Sequence, residues 1–389
     1  MTTDSSLSLD RRAVLRAFGI LGAAGMLPAA FAREALAAGP SAYGPLGEPD
    51  ANGLMMPAGF TAREIARSGS PVAGTGYTWH GAPDGGAVFR ARGGWIYVSN
   101  SEQGAPAGGV SAIRFNARGA VVAAYSICAG TGRNCAGGAT PWGTWLTCEE
   151  VADGNVFECD PTGARPAERR SALGSFQHEA AAVEPVGRRL YLTEDQPDGR
   201  FYRFTPSRWK RLDAGLLEVA VVEGDGVRWV AVPNPNPVIG SDTPTRLQVP
   251  ESTAFSGGEG IAVLRRHVYF TTKGNNRVWD HDTRRGTIRV LYDAAQDPGR
   301  QLTGVDNCAF AGTGDLVVAE DGGNMELVAV AKSGLAAPIL RVVGQDGSEL
   351  AGPAFDPTFR RLYFSSQRGV SGPGITYEIT GPFRRRAVR

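Results

Sequence analysis

The feature that most constrains the fold of this chain is a repeat. Six times a turn rich in Gly or Arg runs into a short apolar segment that ends on polar or acidic residues. The segments are residues 94–100 (GWIYVSN), 143–150 (GTWLTCEE), 189–195 (RLYLTED), 267–273 (HVYFTTK), 315–321 (DLVVAED) and 361–367 (RLYFSSQ). They recur at roughly 45–50 residues, the length of one four-stranded propeller blade. Another short apolar segment precedes each, as in 180–185 (AAAVEP), and an alternating one follows, as in 199–204 (GRFYRF). Alternation with period two marks half-buried strands, and no long segment carries a helical period. The expectation is an all-β chain closed into a six-bladed β-propeller, with a seven-bladed ring containing one degenerate blade as the structural rival. Residues 230–255, rich in Pro and Asn, read as a long loop in the one wide gap.

Charge excludes several functions. Charged residues make up 20% of the chain and the formal net charge is +1, so no whole-molecule field draws nucleic acid or an anionic membrane. Function is expected in a local site. At the N-terminus, Arg11 and Arg12 precede a mildly apolar stretch, residues 17–32, too short and too rich in Gly and Ala for a membrane span. Residues 35–37 (ALA) offer a small-residue cleavage site. The paired arginine resembles a twin-arginine signal, with an ordinary secretory signal or a retained anchor as the alternative. Residues 1–38 are therefore set aside as a signal peptide, and residues 39–389 are expected to form one domain. That domain would be exported already folded by the twin-arginine machinery to the periplasm or beyond. It would carry no stable membrane span and act as a monomer.

Five cysteines, Cys128, Cys135, Cys148, Cys159 and Cys308, leave at least one thiol unpaired or bound to metal, and no CxxC suggests a zinc ribbon. In a blade of antiparallel strands, the start of one inner strand and the end of the next lie at the same mouth. Strand starts there contribute Asp84, Cys135, His178, Glu179, Glu259, Asp306, Asn307 and Glu349. Strand ends contribute Asn100, Ser101, Glu102, Glu149, Glu150, Glu194, Asp195, Glu320, Asp321 and Gln367. Any one acidic pair could be a solvated turn, but so many carboxylates on one rim repel unless cations neutralise them. Oxygen-rich sets suit calcium, and a thiolate among them favours a transition metal.

Residues 134–150 (NCAGGATPWGTWLTCEE) resemble the signature of PhoX-type alkaline phosphatases. Further stretches agree: His178-Glu179, residues 191–195 with 199–204, Glu259-Gly260, Asp306-Asn307, residues 320–322 and 349–353, and Gln367. The resemblance covers essentially the whole mature chain. It implies a six-bladed propeller exported by the twin-arginine route, holding Ca2+ with Fe3+ and cleaving phosphate monoesters, with diesters as a second substrate class. It points to Cys135 as an iron ligand, with Glu179, Glu259 and Glu320 near the iron and inner calcium ions. Cys135, Glu179 and Glu259 are its catalytic positions, and Glu149, Glu150, Glu194, Asp306, Asn307 and Glu349 are further metal candidates. A metal-held hydroxide or oxide would be the nucleophile, and no Gly-x-Ser-x-Gly elbow is present. The chain departs from the pattern at Gly257, where larger members carry a phosphate-holding arginine, and at residues 100–102 (NSE), where a histidine is usual. It is also short for that family. Arg133 and Lys273 are the candidates for the missing positive charge. Two other readings stand beside this one: a calcium-dependent lactonase-like hydrolase and a non-catalytic calcium-binding propeller.

Overall fold

The structure, a computed structural model, describes residues 41–384, so the expected signal peptide lies outside the described residues. The described chain is all-β and propeller-like. Antiparallel meanders follow one another, each beginning at the axis and running outward; most have four strands, and the one running from Val305–Phe310 to Ala336–Val342 gains a fifth, Leu54–Met55, at its outer edge. The first comprises Pro83–Ala91, Gly94–Ser101, Gly108–Asn116 and Val121–Thr131; the second, Asn134–Ala139, Trp145–Glu149, Val156–Cys159 and Glu168–Arg169. The last takes its outermost strand, Thr61–Arg67, from the other end of the chain, with Thr61 opposite Thr380. That pairing joins segments from near the two ends of the described residues and removes an exposed edge.

One expectation is modified. Residues 178–293 form a single nine-stranded sheet rather than separate ones. The extra strand, Gly226–Ala231, precedes the expected loop and takes in its first two residues. It joins the outer strand Thr287–Asp293 through one register pair, Gly226 opposite Thr287. The remainder of the loop folds back toward the start of the strand His178–Glu184, where Thr245 Oγ1 donates to the Ser175 carbonyl at 2.9 Å and Val232 and Val249 enter the core. Among the described residues no helix is long and apolar enough to cross a membrane.

The sequence explains the layering. Second strands are sandwiched between neighbouring sheets, so both faces are buried and the run is continuously apolar: Trp95, Ile96, Tyr97 and Val98 are all buried. Inner strands converge on the axis, where only small residues fit. A Cβ on Gly138 would lie 1.7 Å from the Ala181 carbonyl oxygen of the next inner strand. All five cysteines are free thiols, and Cys128 and Cys159 share one core cluster between the first two sheets.

Candidate metal centre

Each inner strand carries the same irregularity near its start. Pairing runs from Pro83–Ser101 to Gly86–Ser99, so three steps on the inner strand match two on its partner. The same shift falls between Asn134 and Gly137, His178 and Ala181, Gly258 and Ile261, Val305 and Cys308, and Ala351 and Ala354. These are β-bulges, which break the alternation of a strand and re-aim a side chain. The first bulged residue is Asp84, Cys135, Glu179, Glu259 and Asp306 in five of them, all buried. In the sixth it is Gly352, at φ +60, and the carboxylate comes instead from Glu349, just ahead of the strand. Gly or Ala follows Asp84, Cys135, Glu179 and Glu259, where the neighbouring backbone passes, and Asn307 follows Asp306. A Cβ on Gly260 would meet Asn307 Cα at 2.6 Å.

The bulges bring donors together into four groups whose ligand atoms lie within 4.8 Å of one another: Cys135, Glu150 and Glu179; Glu179, Glu259 and Asp306; Asp306, Asp321 and Glu349; and Asp84, Glu102 and Glu349. Shared members link them into an arc around the axis. Arg133 closes the arc, bonding Glu102 at 2.8 Å and Glu150 at 2.9 Å. Lys273 Nζ lies 2.9 Å from Glu259 and 3.1 Å from Asp321. Arg368 lies 3.1 Å from Glu349. Gln367 Nε2 donates to Asp84 at 2.6 Å and Glu102 at 2.7 Å. The three cations remain 48%, 36% and 47% exposed, so they line the entrance while the carboxylates form its floor.

Eight carboxylates against three cations leave the floor strongly acidic. Burial, then the neighbouring carboxylates, hold Asp84, Glu179 and Glu259 well above the ordinary carboxyl range. Burial first also pushes Asp306 up to about 6, Glu150 to about 7 and Glu349 to about 8. The Cys135 thiol, 3.3 Å from Glu179 Oε1, is raised by burial and then by Asp84 and Glu179. Burial alone would lower Lys273, but Asp306, Glu259 and Asp321 outweigh it and raise it. Without cations the cluster must hold protons, whereas bound metal ions would replace them. Three groups offer oxygen only, the donor set of hard cations; the group at Cys135 adds sulfur.

Of the residues expected at this site, Cys135, Glu150, Glu179, Glu259, Asp306 and Glu349 come together, with Arg133 and Lys273 above them. Glu149, Glu194 and Glu320 stand outside the four groups. Glu149 accepts the backbone N–H of Gly132 and Asn155, and Glu320 those of Thr303 and Glu326. Glu194 accepts from Arg200 N–H and the Tyr202 hydroxyl. Asn307 accepts the Gly352 N–H at 2.7 Å and donates to Asp306. Asp84, Glu102 and Asp321 belonged to the acidic rim but not to the expected ligand set, and Arg368 was missed. A signal for the bulged residues was present: an acid or Cys followed by Gly, Ala or Asn recurs at 84–85, 135–136, 179–180, 259–260 and 306–307.

The sequence profile of the family described as Alkaline phosphatase PhoX matches residues 85–155 and 152–297, more than half of the chain. The chain belongs to the PhoX family. The match spans the bulges at Cys135, Glu179 and Glu259 and the neighbouring Lys273. No curated protein matches the sequence. Among solved structures, Pseudomonas fluorescens PhoX in complex with vanadate, a transition state analogue, aligns with a TM-score of 0.70 at 16% identity, over 87% of this chain and 97% of that one. A structural genomics protein of unknown function from Bacteroides thetaiotaomicron aligns with a TM-score of 0.54 at 10% identity, over 82% and 76%. These likenesses give the propeller-like fold; the PhoX assignment comes from the sequence.

Proposed function

We propose that this PhoX-family chain is a metal-dependent alkaline phosphatase that hydrolyses organic phosphate esters at the acidic mouth. The observation that carries this reading is the closed arc of buried carboxylates with one thiol, rimmed by Arg133, Lys273 and Arg368. Calcium suits the three oxygen-only groups, and iron suits the group of Cys135, Glu150 and Glu179. When bound, the metal ions supply charge neutralisation for the transferred phosphoryl group and activation of the attacking water. The floor residues fix the spacing of those ions, because the bulges that present them are locked by the fold. The entrance cations hold the phosphate oxygens. Gly257, at φ +63, accepts the Lys273 N–H at 2.8 Å, so Lys273 stands beside the place of the family arginine and takes over its charge. Cys135, Glu179 and Glu259 remain the residues most directly tied to the reaction.

The reading extends to architecture and location. The nine-stranded sheet holds two inner strands, His178–Glu184 and Gly258–Leu264, joined only at its outer seam. Counted as two blades, it supports a six-bladed ring. Arg11 and Arg12 support twin-arginine export to the periplasm or beyond, with the chain acting as a monomer. The deciding experiment is hydrolysis of an aryl phosphate at alkaline pH by purified exported protein, with elemental analysis before and after chelation. Turnover that disappears with calcium and iron supports the proposal. Metal-loaded protein that cleaves lactones but no phosphate mono- or diester, or that binds calcium without any turnover, refutes it.

A further inference from the structure

The net charge of +1 conceals a separation of charge along the propeller axis. Acidic residues gather where the inner strands begin. The turn joining each inner strand to the next lies at the opposite end, because antiparallel neighbours reverse the chain there. Those turns carry Arg92, Arg188, Arg265, Arg266 and Arg360, all exposed. Turns between third and fourth strands open on the same face and add exposed Arg118, Lys210, Arg284, Arg285 and Lys332. Asp160, Asp282 and Asp315 share these turns and are engaged: Asp160 pairs with Arg165 at 3.0 Å, Asp282 accepts the N–H groups of Arg284 and Arg285 and lies 3.3 Å from the Arg285 side chain, and Asp315 accepts the Thr313 hydroxyl at 2.7 Å. Glu184 is buried and accepts the N–H groups of Val186 and Gly187; Asp356 is buried and accepts those of Arg360 and Arg361. Arg265, Arg266, Arg284 and Arg285 line one open cavity of about 560 Å³ with His267 and Asp282.

Apolar side chains stand exposed among these cations. Val186, two residues before Arg188, is 53% exposed, and Leu335, three after Lys332, is 70% exposed. Half-buried Trp142 and Trp209 meet edge to face at 5.5 Å in two turns of the same face. We propose that this face docks on a bilayer containing anionic phospholipid, with the acidic mouth turned away into solution. Arginine and lysine side chains reach the phosphate headgroups, and the apolar tips enter the interfacial layer. A duplex nucleic acid would use the cations but give no role to Val186 and Leu335. The same anionic surface repels the mouth, which restricts docking to one orientation. The inference goes beyond the phosphatase reading and does not depend on it.

The test is co-sedimentation of the purified protein with vesicles of phosphatidylglycerol in phosphatidylcholine, and with phosphatidylcholine alone. The expected result is uptake only by the anionic vesicles, lost as salt rises well above about 0.1 M, where screening becomes strong. Reversing Arg265→Glu, Arg266→Glu, Arg284→Glu and Arg285→Glu together should weaken uptake about 100-fold or more at an unchanged unfolding temperature. Leu335→Ser, a milder change, should weaken uptake several-fold while leaving its salt dependence intact. No uptake at low salt, uptake unaffected by the charge reversal, or tighter binding to duplex DNA than to the vesicles overturns the proposal.

Discussion

Asn100 in one sheet donates through Nδ2 to the carbonyl of Cys135 at the head of the next, at 2.9 Å. The same amide reaches the Ala136 carbonyl at 2.7 Å, while its oxygen accepts from Trp145 Nε1 and Thr147 Oγ1. Thr193 repeats the device on the Glu259 carbonyl at 2.6 Å, and Thr271 on that of Asp306 at 2.8 Å. Three of the bulges are thus pinned by a neighbouring second strand. Asn100→Ala strands several buried polar groups at about 1–3 kcal/mol each. The expected outcome is a clear fall in the thermal midpoint of chelated protein, with weakened binding of the metal at Cys135. An unchanged midpoint would show that the Asn100 contacts contribute little.

Cys135 is the only sulfur donor in the four groups. Cys135→Ala should therefore remove the transition metal while calcium bound by oxygen-only groups persists. Elemental analysis measures this directly. Aryl phosphate hydrolysis should drop more than about 100-fold, since even loss of outer partners to a ligand costs about 10–100-fold. Equal loss of both metals would place Cys135 in a shared structural role instead.

Lys273 gives a separable signature. It is 36% exposed and holds Glu259 and Asp321 from above. A charge-assisted hydrogen bond to substrate contributes about 1.5–3 kcal/mol, roughly 10–100-fold. In metal-loaded protein, Lys273→Met should raise KM for aryl phosphate by about that factor, and Lys273→Arg should largely restore it. A KM unmoved by either change would remove Lys273 from the substrate contacts.

The repeat made the all-β architecture legible because second strands, buried on both faces, announce themselves as apolar runs. The NCAGG motif likewise marked Cys135. Three things were hidden. A bulge is a change of register between two strands, and neither strand alone records it, so the in-facing set could not be read from period-two alternation. The acidic pairs were also ambiguous. Glu149 and Glu150 are the same residue type, yet the first turns to backbone N–H groups and the second to the mouth. The nine-stranded seam rests on a single pair at Gly226, which carries no pattern at all.

The raised carboxyls fix the sign of the pH dependence. Glu349 is pushed up to about 8 and Glu150 to about 7 from 4.5, and Asp306 to about 6 from 3.8. Between those values the metal-free fold binds more protons than the unfolded chain, so its stability falls as pH rises. Thermal unfolding of chelated protein should show a declining midpoint from about pH 5 to about pH 8. Calcium should flatten or reverse the trend, because it displaces protons and binds more tightly as they leave. A chelated midpoint that rises across this window would mean the carboxylates are already neutralised by the chain's own cations.

Glu320 and Asp321 are adjacent and test the division of labour most sharply. Glu320 is buried, raised to about 8 by burial, and accepts the N–H groups of Thr303 and Glu326 at 2.9 and 3.0 Å. A glutamine there must turn an amide N–H toward one of those donors. Glu320→Gln should cost about 1–3 kcal/mol of stability while the calcium content stays the same. Asp321 instead shares a group with Asp306 and Glu349. Asp321→Asn removes a charge from a repelling cluster, so the chelated protein should be as stable as before or more so. Its calcium affinity should fall about 10-fold or more, since ligand charge sets affinity in oxygen sites. Calorimetric calcium titration and thermal unfolding of the two variants together decide the matter. The opposite pattern, calcium lost with Glu320→Gln and stability lost with Asp321→Asn, would return Glu320 to the metal ligands and make Asp321 a structural partner of Lys273 alone.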